Sequence, residues 1–252
     1  MKQLFVALLS VISLSALAAS SPPATLVYDL SNDRIVNQQG ANTQRPIASL
    51  SKLMTAMVVL DSTASMSEIL TINRKVGTQL PQGEYSRLEL LHAMLVKSDN
   101  AAAETLAENY PGGRSVFMFM MNLKAQDLNL LYTQFVDPSG LSVFNVSTLH
   151  EVVAIFKAAS QYELIRSIST LKEIQLSAPK KKRAVSFVNT NFNILSQFRD
   201  IVVSKTGFTN PAGFCMGLIL NRQGHKFIVI VLGEKNKIQR TATVTRIMRD
   251  LS

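Results

Sequence analysis

A serine three residues ahead of a lysine brings a hydroxyl and an amine onto one face of a helical turn. This chain contains that spacing at Ser49–Lys52, Ser169–Lys172 and Ser177–Lys180. Ser177-Ala178-Pro179-Lys180 holds a proline inside the pair, which disfavours the turn, and it opens onto Lys180-Lys181-Lys182-Arg183. Ser169-Thr170-Leu171-Lys172 lies where a helical pattern fades, among charged neighbours that leave its lysine in water. Ser49 and Lys52 are different. Between Arg45 and Asp61 the run is apolar or small except for Lys52. A helix apolar all round belongs inside a protein, and a lysine buried there tends to lose its proton and become a base. A serine beside a desolvated amine is an activated nucleophile, and the dipole at a helix start favours developing negative charge.

Two further clusters have the composition for chemistry. Ser98-Asp99-Asn100 falls in a joint between two expected helices, where by itself it reads as a helix cap. Asp200 to Ser204 is an apolar strand that runs into Lys205-Thr206-Gly207, which by itself reads as a strand ending in a turn. Other schemes are incomplete. There is no Gly-x-Ser-x-Gly elbow, and His150-Glu151 lacks the second histidine of a zinc-protease helix because Ala154 stands there. With no cysteine cluster and no phosphate loop, no metal and no cofactor is expected. Cys215 is the only cysteine, which excludes an internal disulfide and suits a small apolar position in a strand.

The elements that must position these residues follow from periodicity. Leu26 to Asp29 and Arg34 to Val36 read as a hairpin around Ser31-Asn32-Asp33, and the Ser49 helix follows, ending near Asp61. Ile69 to Ile72 reads as a strand. Apolar 3–4 spacing marks helices over Leu88–Val96, Ala101–Glu108, Phe117–Leu128 and Leu149–Ala158. From Glu173 the period is two: Glu173–Leu176, Val185–Val188, Ile201–Val203, Gly213–Leu220 and Lys226–Leu232 are expected strands. Val244, Ile247, Met248 and Leu251 give the last helix a core-facing stripe. The expected fold is α/β (α+β): an antiparallel sheet formed by both chain ends with a helical insert. Residues 24–252 are read as a single domain, with the sheet part in 24–62 and 173–252 and the helical part in 63–172.

Lys2, the apolar stretch Leu4 to Leu17 and the small-x-small site Ala16-Leu17-Ala18 read as a secretory signal over residues 1–18. No later segment is long and apolar enough to span a membrane. The chain has 252 residues and a formal net charge of +9, which for an exported protein suits an anionic surface or a carboxylate-rich substrate. Export argues against a nucleic-acid partner for Lys180–Arg183, which reads as a solvated turn between strands.

In this order, Ser-x-x-Lys on a buried helix, Ser-x-Asn in a helical joint and Lys-Thr-Gly on a strand resemble the penicillin-binding and serine β-lactamase superfamily. Pro46-Ile47-Ala48-Ser49 through Met57, Asp137-Pro138-Ser139-Gly140-Leu141 and Asn189-Thr190-Asn191 are similar to its low-molecular-mass D-alanyl-D-alanine peptidases. The resemblance implies a β-lactamase/transpeptidase-like fold, with Ser49 as acyl-ester nucleophile, Lys52 as proton acceptor and Ser98 as relay to the leaving amine. Asn100 would hold Lys52 and the substrate amide, Lys205 and Thr206 the substrate carboxylate. The backbone N–H groups of Ser49 and Phe208 would form the oxyanion hole. A side chain at Gly207 is expected to crowd bound substrate, and Lys205 to depress the pKa of Lys52 by like-charge repulsion. A class A β-lactamase also needs a general-base glutamate after Ser-x-Asn, and no glutamate occurs between Glu108 and Glu151. Only a short segment follows Lys-Thr-Gly, without an extra β domain or amphipathic anchor, so the chain looks most like the shorter D-alanyl-D-alanine endopeptidases. The implied partners are peptidoglycan stem peptides and, as covalent inhibitors, β-lactam antibiotics, in the periplasm with at most peripheral membrane contact. The alternatives are a carboxypeptidase, then a serine β-lactamase or a non-catalytic β-lactam or wall-binding sensor.

Overall fold

The computed structural model describes residues 22–40, 43–72, 77–177 and 184–251. The expected signal over 1–18 and the run Lys180–Arg183 lie outside the described residues. The first hairpin is present as β1 (Ala24–Asp29) and β2 (Arg34–Gln39). The buried Asp29 carboxylate ties its turn, accepting the N–H groups of Ser31 and Asn32 at 2.9 and 3.1 Å. β3 (Arg45–Pro46) leads into a tight 3₁₀ turn over Ala48–Ser51 and then α1 (Lys52–Asp61). The side chains from Lys52 to Val59 are all buried, as an unbroken apolar helix requires.

The helical part carries β4 (Ile69–Ile72) paired with β5 (Gly83–Ser86), then α2 (Arg87–His92), α3 (Asn100–Glu108) and α4 (Gly113–Asp127). The helix expected to run through Val96 changes pitch. α2 stops at His92, a π turn covers Ala93–Lys97, and Ser98 closes it in the left-handed region at φ 61°. β6 (Val146–Ser147) pairs with β3, and α5 (Leu149–Ala159) and α6 (Glu163–Ser169) follow. β7 (Glu173–Leu176) and β8 (Val185–Val188) pair with each other as a separate small sheet. A short α7 (Phe192–Gln197) precedes β9 (Ile201–Thr209), β10 (Gly213–Arg222), β11 (His225–Glu234) and α8 (Lys237–Asp250).

The main sheet has the order β2-β1-β11-β10-β9 with every pair antiparallel, so both chain ends build it as expected. Both of its faces are covered, which explains why β10 and β11 read as nearly continuous apolar runs. Cys215 and Ile219 face the main core around α1, while Met216, Leu218 and Leu220 face Val244 and Met248 of α8. α5 approaches closely at Gly217, where a Cβ would lie 2.2 Å from the Phe156 ring. Lys205-Thr206-Gly207, which by itself reads as the turn at a strand's end, lies on a strand as the order of the motifs implies. β9 continues through it, because backbone pairing of Lys205 with Gly217 and Gly207 with Cys215 does not depend on side-chain polarity. Among the described residues no helix is long and apolar enough to cross a membrane.

Candidate active site

The turn that carries Ser49 is clamped from two sides. Ala48 sits at φ 48°, a conformation costly for a residue with a Cβ. Gly140, at φ 79°, abuts the same peptide; a Cβ there would lie 2.0 Å from the Ala48 carbonyl oxygen. On the other side β9 presses in at Gly207, where a Cβ would lie 2.9 Å from the Ser49 nitrogen. The close approach of strand and serine turn therefore requires the glycine by itself, whatever a side chain there would do to a bound substrate. As the start of a helix, the Ser49 N–H has no intrahelical acceptor and faces the strand that carries Phe208.

Lys52 is fully buried, and its amine donates to Ser49 Oγ at 2.9 Å, Asn100 Oδ1 at 2.7 Å and the Ser139 carbonyl at 2.5 Å. Burial lowers its pKa to about 7, against the opposing pull of the Asp137, Asp99 and Glu104 carboxylates. The repulsion expected from Lys205 falls on the other partner: Lys205 is driven well below its ordinary value by its own burial, then by Lys52 and Arg240. A neutral Lys52 keeps two donors for Asn100 and Ser139 and turns its lone pair to the Ser49 hydroxyl. That arrangement can take the serine's proton.

Ser98-Asp99-Asn100 is a helix cap, as it reads by itself, and it also sets Ser98 and Asn100 against the two buried lysines. Asp99 caps α3, accepting the Ala102 N–H at 2.9 Å with one oxygen and the Thr78 hydroxyl and Gln79 N–H with the other. With that residue fixed, Asn100 reaches Lys52 and the Ser98 hydroxyl accepts from Lys205 Nζ at 2.9 Å. Lys205 also donates to the Thr206 carbonyl, and the Thr206 hydroxyl donates to Thr190 Oγ1 at 2.7 Å. Phe208 is half-exposed and stacks on Phe214 with ring centroids 4.1 Å apart. Ser49, Ser98, Asn100, Thr206, Gly207 and Phe208 thus line one cleft of about 700 Å³, with Lys52 directly behind it.

Three contributors carried no individual role in the sequence reading. Asp137 is a buried carboxylate whose Oδ1 accepts the N–H groups of Ser139 and Gly140 at 2.7 and 2.6 Å, while Oδ2 accepts that of Ser142 at 2.7 Å. Burial pushes its pKa up, but these bonds and that from the Ser139 hydroxyl outweigh it and hold it below the usual value. The loop so fixed supplies the Ser139 carbonyl to Lys52. Thr190 positions Thr206. Arg240 lines the cleft at 4% exposure with no partner for its Nε among the described residues, and burial lowers its pKa to about 10. The signal for Arg240 was present: it shares the core-facing stripe of α8 with Val244 and Met248, where an arginine needs a reason.

A serine fed by a buried lysine, opposite an antiparallel strand across a polar cleft, on this mixed sheet and helix scaffold, is the architecture of the serine penicillin-recognising enzymes. The chain belongs to the D-alanyl-D-alanine carboxypeptidase family of serine peptidases, whose model matches residues 13–236. It is 36% identical to the D-alanyl-D-alanine endopeptidase of Escherichia coli over 86% of this chain and 74% of that one. The endopeptidase of Pseudomonas aeruginosa is 35% identical over 93% of this chain and 83% of its own. Among solved structures, Penicillin-Binding Protein D2 from Listeria monocytogenes in its ampicillin-bound form superposes with a TM-score of 0.81 at 30% identity, covering 91% of this chain and 96% of that one.

Proposed function

We propose that this protein is a periplasmic D-alanyl-D-alanine endopeptidase that opens peptidoglycan cross-links through an acyl-enzyme on Ser49. The observation that carries the mechanism is the 2.9 Å contact between Ser49 Oγ and an amine whose pKa burial brings to about 7. Ser49 Oγ attacks the D-alanyl carbonyl while Lys52 takes its proton. The oxyanion is stabilised by the N–H groups of Ser49 and Phe208, held by the clamped turn and β9. Ser98, between Lys205 and the cleft, relays a proton to the leaving amine, the C–N bond breaks, and an ester to Ser49 remains. Asn100 holds Lys52 and the substrate amide. Water then attacks the ester, releasing the D-alanyl carboxylate and restoring the Ser49 hydroxyl. Lys205, Thr206 and the unpartnered Arg240 Nε offer the donors for the carboxylate of the leaving residue. A β-lactam acylates Ser49 by the same steps. Its ester persists because the stretch between Glu108 and Glu151, where a class A β-lactamase would carry its general base, holds no glutamate to activate water.

The choice of endopeptidase over carboxypeptidase is supported by the relatives so named, at 36%, 35% and 34% identity, against 25%, 29% and 26% for carboxypeptidases. Residues 1–18 act as a secretory signal in this reading, and 24–252 as one catalytic domain. Incubation with cross-linked muropeptide dimers and with pentapeptides tests it. Monomer release is expected; D-alanine release from pentapeptides without dimer cleavage would make the protein a carboxypeptidase, and rapid nitrocefin turnover a β-lactamase.

A further inference from the structure

A second groove of about 690 Å³ runs between α7 and the outer face of α8. It is continuous with the cleft, since Asn193, Lys237 and Thr241 line both. α8 therefore has two jobs. Its inner stripe, Arg240, Val244 and Met248, faces cleft and core, while Lys237, Thr241, Ala242, Thr245 and Arg246 form the groove. Arg249 also lines the groove, whose floor of small side chains is flanked by the cations of Lys237 and Arg246. Neither forms an ion pair among the described residues, and Asp250 is the groove's one acidic side chain. Lys237 and Arg246 are separated by about 13 Å along the helix at about 1.5 Å per residue, the reach of roughly four extended residues.

Resting on the endopeptidase reading above, the geometry points to this groove as the seat of the leaving strand: the anionic stem peptide beyond the scissile bond of a cross-linked substrate. In that reading the carboxylate next to the scissile bond meets Thr206 and Arg240, and α8 carries both Arg240 and the groove that continues past it. A single D-alanine ends at Arg240 and needs nothing further. A stem peptide must continue, and its remaining carboxylates meet Lys237 and then Arg246.

The test compares wild type with Arg246→Glu, which inverts a charge on an exposed side chain, and Ala242→Trp, which fills the floor. For both variants KM for a purified cross-linked dimer is expected to rise by about fivefold or more with little change in kcat, the signature of lost uniform binding. Acylation by a fluorescent penicillin, which has no leaving strand, should stay within about twofold of wild type. An unchanged dimer KM in both variants, with the wild type active on dimer, would overturn the groove while leaving the endopeptidase intact. A wild type that opens no dimer at all would remove the endopeptidase reading instead, and the groove with it. Loss of binding to vesicles of anionic lipid, at unchanged dimer KM, would assign the basic stripe and the exposed Ile238 to a membrane surface and also overturn the proposal.

Discussion

Ser49–Lys52 and Ser169–Lys172 have the same spacing and opposite environments. In the first pair the serine faces the cleft and the lysine is fully buried. In the second the serine is buried at the end of α6, where its hydroxyl accepts the Ser204 N–H at 3.3 Å, and the lysine is exposed. Ser169 props β9 from behind, a few residues from where the same strand meets Ser49 from the front. Spacing brings a hydroxyl near an amine; burial of the amine and exposure of the hydroxyl make the pair reactive. In the proposed mechanism, exchanging which partner is buried turns a nucleophile into a strut.

The sharpest way to break this contrast is to replace each lysine. Lys52→Met should slow acylation by a fluorescent penicillin by roughly 10²–10⁴-fold, whereas Lys172→Met should leave it within about twofold. The acylation rate of the wild type should also climb as pH rises through the Lys52 pKa of about 7, because the proposed mechanism uses the neutral amine. The linked stability has a definite sign. The unfolded lysine holds its proton up to 10.5 and the folded one only to about 7, so between these values Lys52 makes unfolding less favourable as pH rises. Thermal denaturation between these limits, compared in wild type and Lys52→Met, reads that slope directly; equal slopes would contradict the depressed pKa.

A smaller effect is expected at the loop that supplies Lys52 with a carbonyl. Asp137→Asn weakens charge-assisted bonds to four backbone N–H groups and should cost about 2 kcal/mol, seen as a Tm fall of roughly 4–8 °C. Acylation should slow with it, since Ser139 would no longer be held against Lys52. The smallest effect belongs to Ser169→Ala, expected to cost about 1 kcal/mol of stability for the lost hydrogen bond to Ser204 and to leave penicillin labelling unchanged. Labelling lost in Ser169→Ala at retained fold would erase the distinction between the two serines.

Much of this arrangement was legible in the sequence where one local rule decided it. The apolar run around Lys52 told of burial, the nearly continuous apolar runs of β10 and β11 gave the sheet centre, and the stripe of α8 gave its docking face. The three polar motifs lie on elements that the fold brings to one cleft. What sequence could not reveal depends on two segments meeting. Gly207 and Gly140 are ordinary glycines until β9 and the Asp137 loop are seen to close on the Ala48–Ser49 peptide. Taken by itself Lys205-Thr206-Gly207 reads as a turn, and only the order of the three motifs puts it on a strand, whose backbone β10 holds. The π turn before Ser98 hides inside a good helical pattern, and Arg240 looks like one more surface cation until its stripe is read as a face.

The central claim, that Ser49 alone of the three serines is the acyl acceptor, is tested most directly by mass spectrometry of the protein after exposure to penicillin. The account predicts one adduct per chain, carried by the peptide containing Ser49 and absent from Ser49→Ala. An adduct on the peptide containing Ser169 or Ser177, or labelling that survives Ser49→Ala, would contradict it.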